Sequence, residues 1–377
     1  TATPTATATA SATATATAVA SPSPSAPGDV ATTIQQNPRH DGLVTGTAPT
    51  PPLASAWSKT LDSAPSAPVL ADGRAFAVTQ QGTLYALDLR NGAVLWAKSL
   101  GPRGGVAFDA GRVYATDDDS FLYAIDAASG LTLRTEWIDK PAWPVAENGR
   151  VYGANGMVYD GATGARVHQP VLTNDNGVGR TTPTLDADRI YYGCDGAAAV
   201  TRGANPAIAW RTSSSASCYP GFSTPPAVIH QGRLYSPGTA ADERTGEILD
   251  AATGARLATM PKDTRPAFTD GIGLFIEDGT LHARDATTYA PRWSFAGAGG
   301  TFGLPPLIAG DRVYVSHGSR FHVLDLRTGA TRWSADTGVA PFQGMAIAQN
   351  TLVVATATGL TALRSAADPP QPGPADT

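Results

Sequence analysis

The stretch G-R-A-F-A-V-T-Q-Q-G-T-L-Y-A-L-D-L-R-N-G-A-V-L-W, Gly73 to Trp96, decides the fold. Arg74–Val78 and Thr83–Asp88 are short β-rich runs joined by a Gly-bearing turn, and Asn91-Gly92 turns the chain again into A-V-L-W. The apolar run A-P-V-L-A-D just before it supplies a further strand. Four short strands separated by Gly-bearing turns predict an antiparallel meander. The unit returns near Gly111, Gly149, Asp188, Gly232, Gly271, Asp311 and Asn350. A repeat of roughly 34–50 residues built from short strands means a radial or stacked architecture.

Three registers recur. An Asp precedes the last turn at Asp88, Asp126, Asp160, Asp250, Asp285 and Asp325. A Gly follows at Gly92, Gly130, Gly164, Gly254 and Gly329. The Asp side chain accepts turn N–H groups and the Gly supplies positive φ. A Trp ends the unit at Trp57, Trp96, Trp210, Trp293 and Trp333, and is replaced elsewhere by Arg134, His168 and Ala258. A Trp at a fixed register is expected to pack between neighbouring units.

The ends of the chain predict closure. Trp57 lies in S-A-W-S-K-T-L, a fourth strand with no first three before it, and the last unit stops after L-T-A-L-R without a fourth. Residues Ala54–Leu61 are therefore expected to pair with Leu360–Arg364. Such closure leaves no open edge in the ring. The expectation is an all-β, eight-bladed β-propeller over 49–365, preceded by a disordered Thr/Ala/Ser/Pro-rich linker or stalk over 1–48 and followed by a Pro-rich tail over 366–377. Residues 1–28 hold only Thr, Ala, Ser, Pro, one Val and one Gly, too little apolar surface to offset chain entropy.

These residues resemble the quinoprotein-type (PQQ-like) propeller repeat, V-Y-V then G-x-L-Y-A-L-D-x-x-T-G-x-x-x-W. It stands here as L-Y-A-L-D-L-R-N-G-A-V-L-W, L-Y-A-I-D-A-A-S-G and V-L-D-L-R-T-G-A-T-R-W, and the lead-in N-P-R-H-D-G, Asn37 to Gly42, is similar to the start of secreted bacterial members. The resemblance covers about residues 35–365. The family includes quinone-dependent alcohol dehydrogenases, the lipoprotein scaffold of outer-membrane barrel assembly, and surface proteins. The resemblance implies that the dehydrogenases hold their quinone with adjacent cysteines. Here the two cysteines, Cys194 and Cys218, are separated, and no cofactor is expected.

Function is less legible, because one propeller scaffold hosts many activities. The net charge of −5 gives no global field for nucleic acid, and no apolar run is long enough to span a membrane. Cys194 and Cys218 suit one disulfide in an oxidising compartment. A secreted or extracytoplasmic monomer is expected, its signal removed, tethered through the N-terminal linker. The loops entering the inner strands carry Arg103, Lys140, Arg180, Lys262 and Arg265, with Asp263, and also Trp143, Tyr219, Phe222, Phe302, Phe342 and Gln343. Converging on one mouth of the axis, they would form a basic, aromatic funnel for a protein or anionic glycan ligand. The reading is a non-enzymatic binding scaffold; the alternative is a polysaccharide lyase or glycoside hydrolase in that funnel. Asp117-Asp118-Asp119 and Asn174–Gly177 lack Ca²⁺-loop geometry, and His40, His168, His230, His282, His317 and His322 lack ligand spacing, so no metal site is expected.

Overall fold

The computed structural model describes residues 28–102, 104–138, 142–168, 172, 181–194, 196–212, 226–237, 245–261, 264–297 and 301–368. They form an eight-bladed propeller of antiparallel blades. Blade 1 is Val69–Ala71, Arg74–Val78, Thr83–Asp88 and Val94–Ser99, counted outward from the axis. The inner strands of blades 2 to 8 are Val106–Asp109, Val145–Glu147, Thr184–Leu185, Val228–His230, Ala267–Phe268, Leu307–Ala309 and Pro341–Ala348. In blade 3, the described residues show three strands followed by a bridge, Tyr159 to Arg166, at the position of the outer strand.

The ring closes as the sequence predicts. Leu53–Thr60 pairs antiparallel with Gly359–Ser365, from Leu53 opposite Ser365 to Thr60 opposite Gly359, with a bulge between Ser55 and Trp57. It is the outer strand of blade 8, so the first strand in the ring and the last three share one sheet.

The recurring Trp joins one blade to the next. Trp57, Trp96, Trp210 and Trp293 donate their indole N–H to the carbonyls of Leu89, Ala127, Ala251 and Leu326, each in the following blade. The ring lies on that blade's turn glycine: a Cβ on Gly92 would stand 2.7 Å from the Trp57 ring. Arg134 takes the same seat over Gly164. Between the blades, alternate buried side chains form layered apolar clusters. The turn aspartates do what their register implies. Asp250, Asp285 and Asp325 each accept two turn N–H groups and a threonine hydroxyl on one oxygen.

The boundary at residue 48 does not hold. Asp29, Ala31, Thr33, Ile34, Gln35, Gln36, His40, Asp41, Val44 and Ala48 are all buried. Composition misplaced them because this segment is fixed largely by hydrogen bonds to the blades, with only a few apolar anchors such as Ala31, Ile34 and Val44.

Candidate functional site

An inner strand uses one edge to pair with its own blade and turns the other toward the axis. Eight such edges leave a ring of backbone groups that need partners. Residues 29–44 supply them. Ala31 exchanges both backbone hydrogen bonds with Leu70 of blade 1 at 2.8 and 2.9 Å. The N–H groups of Phe108, Leu185, Ile229, Phe268 and Ile308 donate to the carbonyls of Thr32, Pro38, Arg39, Asp41 and Gly42. In blade 8 the Gln36 amide replaces a peptide group: its Nε2 donates to the Ile347 carbonyl and its Oε1 accepts from the Ile347 N–H. These seven inner-strand residues occupy one register, three before the turn residue of each repeat.

A second ring lies two residues upstream. Pro68, Pro144, Pro183, Pro266 and Pro306 share the position five before the turn residue. Proline has a carbonyl but no N–H, so it presents an acceptor and leaves no orphan donor. Thr33 Oγ1 donates to Pro144 at 3.4 Å and Gln35 Nε2 to Pro266 at 2.9 Å. His40 Nε2 lies 3.0 Å from the Pro183 carbonyl. Gly42 passes so close to blade 7 that a Cβ would stand 2.7 Å from the Pro306 carbonyl. Every blade thus holds the segment by at least one hydrogen bond.

Both ends of this axial segment lie at the mouth where the first turn of each blade sits. Asp29 accepts from the Thr47 N–H and hydroxyl and from the Gln349 N–H of blade 8. Thr45 donates to the Gly28 carbonyl. The segment therefore enters and leaves by the turn-side mouth, and its tip reaches the prolines on the entry side. Three non-glycine residues in it, Gln35, Gln36 and His40, hold φ of 55°, 85° and 55°. Such left-handed backbone persists where surrounding contacts over-determine it.

His40 is fully buried, with Nδ1 2.8 Å from the Ile34 carbonyl and Nε2 3.0 Å from that of Pro183. Burial is the largest influence and holds the imidazole below its ordinary pKa, against the raising effects of both carbonyls and Asp41.

At the entry-side mouth the described residues divide. Trp143, expected in the aromatic funnel, is buried against Ile34 and Ala67, with Gly105 against its ring. Its indole N–H and the Gln35 Oε1 have no hydrogen-bond partner. Phe302 bridges to His317 and meets its ring edge-on at 4.8 Å, so it is half-buried in the joint between blades 6 and 7. Phe342 is 50% exposed, Gln343 and Arg265 are half-buried, and Arg265 lies near enough to influence His40. Arg103, Lys140, Arg180, Tyr219, Phe222, Lys262 and Asp263 lie outside the described residues, as do Asn174–Gly177. Cys194 ends the strand Arg189–Cys194, but Cys218 lies outside them too, and with it the expected disulfide.

Asp117 has a structural role: it accepts from the Gly101 and Phe121 N–H groups and from the Tyr123 hydroxyl. Burial, then that hydrogen bond, pushes the Tyr123 phenol up to about 12. No cluster of three metal-ligating side chains occurs among the described residues, and none of their helices is long and apolar enough to cross a membrane. The residues present do not fit a quinone held between adjacent cysteines, since Cys194 and Cys218 stand apart in sequence, and the axis is filled by residues 29–44.

The sequence reading missed Asp29, Gln35, Gln36, His40 and Gly42. The five prolines at one register were the available signal, marking carbonyls that a polar segment could meet.

Comparison with known proteins agrees with this architecture. The family model described as outer membrane protein assembly factor BamB matches residues 54–102, 80–235 and 239–367. Among curated proteins there is no match. Among solved structures, the computationally designed Ika8 protein is 16% identical over 83% of this chain and 99% of its own, with a TM-score of 0.67. Quinohemoprotein alcohol dehydrogenase from Comamonas testosteroni is 14% identical over 92% and 82%, with a TM-score of 0.69. A europium-containing methanol dehydrogenase is 13% identical over 89% and 98%, at 0.62. At these identities the structural likeness speaks to fold alone.

Proposed function

The chain belongs to the family of outer membrane protein assembly factor BamB, and from that premise we propose that it is an extracytoplasmic, non-enzymatic scaffold that binds a protein partner at the entry-side mouth. The observation that carries this reading is the filled axis. Residues 29–44 hydrogen-bond to all eight blades and occupy the space where a small substrate would sit in an open channel. A binding role then falls to the rim. The rim offers Phe342 as an exposed apolar anchor next to Gln343 at the entry to blade 8, and Arg265 at the entry to blade 6, the kinds of aromatic and guanidinium groups that carry protein interfaces. The basic loop residues Arg103, Lys140, Arg180 and Lys262 would extend that surface and favour an acidic partner.

The test is binding to matched peptide and acidic-glycan arrays, repeated with Phe342→Ala and Arg265→Ala. The reading expects peptide ligands, weakened about tenfold or more by Phe342→Ala, the scale of an anchor residue. Binding confined to acidic glycans would replace the protein partner with a polysaccharide. Release of unsaturated sugars or new reducing ends would replace the scaffold with a lyase or hydrolase.

A further inference from the structure

His40 is held in a way that suits neither of its protonation states fully. A neutral imidazole has one N–H and one lone pair. Here both ring nitrogens face carbonyl oxygens, Ile34 at 2.8 Å and Pro183 at 3.0 Å. The neutral ring satisfies one of them and points its lone pair at the other. The protonated ring would satisfy both, but it would be a cation with no exposed surface.

The groups around it do not offset that cost. On its own segment, Asp41 lies next to it, but that carboxylate already takes the Asn37 amide and the Leu43 N–H. From the approach to blade 6, Arg265 acts against protonation. Among the described residues, blade 4 offers the Pro183 carbonyl. Arg39, the exposed neighbour in sequence, adds a second positive charge, and His230, stacked on Phe268 at 4.5 Å, is also kept neutral, by burial first.

The position of this ring matters because His40 joins the two arms of the axial loop. Its Nδ1 side binds the ascending arm at Ile34 and its Nε2 side binds the ring of blades at Pro183. Withdrawal of the loop by the turn-side mouth must break the contact to Pro183 and bring His40 into water.

We propose that His40 is a pH-sensitive latch: neutral while the axial segment is seated, it takes up a proton as the segment withdraws, so acid favours the open axis. The sign follows from linkage. A group whose pKa is lowered in the closed form adds stability that is fully present above its ordinary value near 6.5 and is lost as pH falls below it. A free imidazole goes from about one-tenth to about nine-tenths protonated between roughly pH 7.5 and 5.5. The opening equilibrium should therefore rise over that interval, by about tenfold at most.

The experiment is hydrogen exchange of the full chain at matched chemical exchange rates, between pH 7.5 and 5.5, read on residues 30–44 and separately on the closing strand. The latch expects protection of residues 30–44 to fall by up to about tenfold while Leu53–Thr60 stays protected, and His40→Gln to abolish the pH dependence of the segment alone. Protection that is flat or rises toward acid, or a His40→Gln chain with the parental pH response, overturns the proposal. If His40→Gln does not fold, ring-nitrogen resonances of the parent decide: a His40 titration at or above 6.5 refutes the latch, and one displaced to lower pH supports it.

Discussion

Two neighbouring N-terminal segments do opposite kinds of work. Leu53–Thr60 closes the ring on its outside; residues 29–44 fill it from the inside. The closing strand is an ordinary blade element. It forms a ladder with one partner, Gly359–Ser365, and seats Trp57 against the next blade. The axial segment has no single partner. It gives roughly one contact to each of eight strands, alternating backbone carbonyls with the side chains of Thr33, Gln35, Gln36 and His40. The first is held by repetition of one pattern, the second by visiting every copy of that pattern once.

Removing each segment should separate these roles, and these are the largest effects expected. Deleting residues 53–61 leaves the edge of Gly359–Ser365 unpaired and Trp57's seat on Gly92 empty. The ring should lose cooperative melting or aggregate, as open edges do. A chain beginning at residue 49 keeps the closing strand but strands the inner edges of the blades. Net hydrogen bonds worth about 1 kcal/mol each imply a loss of several kcal/mol, and a fall in Tm of about 10 °C or more. Differential scanning fluorimetry of both deletions decides it. A chain lacking residues 1–48 that melts like the parent would break the claim that the axial segment is part of the fold.

The same contrast shows what a sequence can and cannot announce. The blades were legible because each repeats a Gly, an Asp and a Trp at fixed spacing, and each of those residues has a local job. The closing strand was legible because it carries the Trp of a missing unit. T-T-I-Q-Q-N-P-R-H-D-G has no apolar alternation and no Trp, since most of its partners are peptide groups, Ile34 against Trp143 being an apolar contact. Polar composition reads as linker when the acceptors that fix it lie far away in sequence, as with His40 and Pro183, 143 positions apart. The candidate site suffered similarly. Trp143 was placed in the ligand funnel because nothing local reveals that Ile34 covers it.

Single residues sharpen the comparison. Trp57 is the anchor of the closing strand and Ile34 that of the axial tip, and both are 8% exposed. Trp57→Ala removes a large ring and its bond to the Leu89 carbonyl, and should cost about 3–5 kcal/mol. Ile34→Ala should cost about 2–4 kcal/mol and, unlike Trp57→Ala, shift the fluorescence of Trp143, which packs directly on it. Chemical denaturation with Trp emission as the probe measures both. Equal emission changes in the two variants would mean that the segments are not independent.

Gly42 tests how tightly the axial segment fits. Its φ is +68°, and a Cβ would stand 2.7 Å from the Pro306 carbonyl and 2.8 Å from the Ala267 side chain. Backbone and Cβ atoms of two blades cannot move aside cheaply, so Gly42→Ala should cost about 1–3 kcal/mol. Gly111 has a similar φ of +76° but nothing within 4 Å. Gly111→Ala carries the backbone strain alone and should cost about 1 kcal/mol. The difference between the two variants isolates the steric part. If their denaturation midpoints agree, the axial segment has room to shift and is seated less firmly than its hydrogen bonds imply.

The smallest effect concerns acid and separates the legible part of the molecule from the illegible part by pH. The turn aspartates are held ionised: Asp325 is pulled down to about 2, first by its bond to Arg332, then by Thr328. A carboxylate with a lowered pKa contributes stability that is present above its ordinary value, 3.8 here, and is lost as pH falls toward 2. His40 and His322 act earlier. Burial, followed by His317 and Arg320, lowers His322 to about 4, so its contribution is present above 6.5 and lost as pH falls from there toward 4. Acid should therefore act in two steps: the buried imidazoles between about pH 6.5 and 4, then the turns between about pH 4 and 2. Asp325→Asn should flatten only the second step. The change will be small, because both partners are partly solvated and surface ion pairs contribute little. Melting temperatures of the parent and Asp325→Asn chains, taken every half unit from pH 7.5 to 2, measure it. A variant that changes the upper step would show that the turns and the buried imidazoles are coupled, and that the ring responds to acid as one unit.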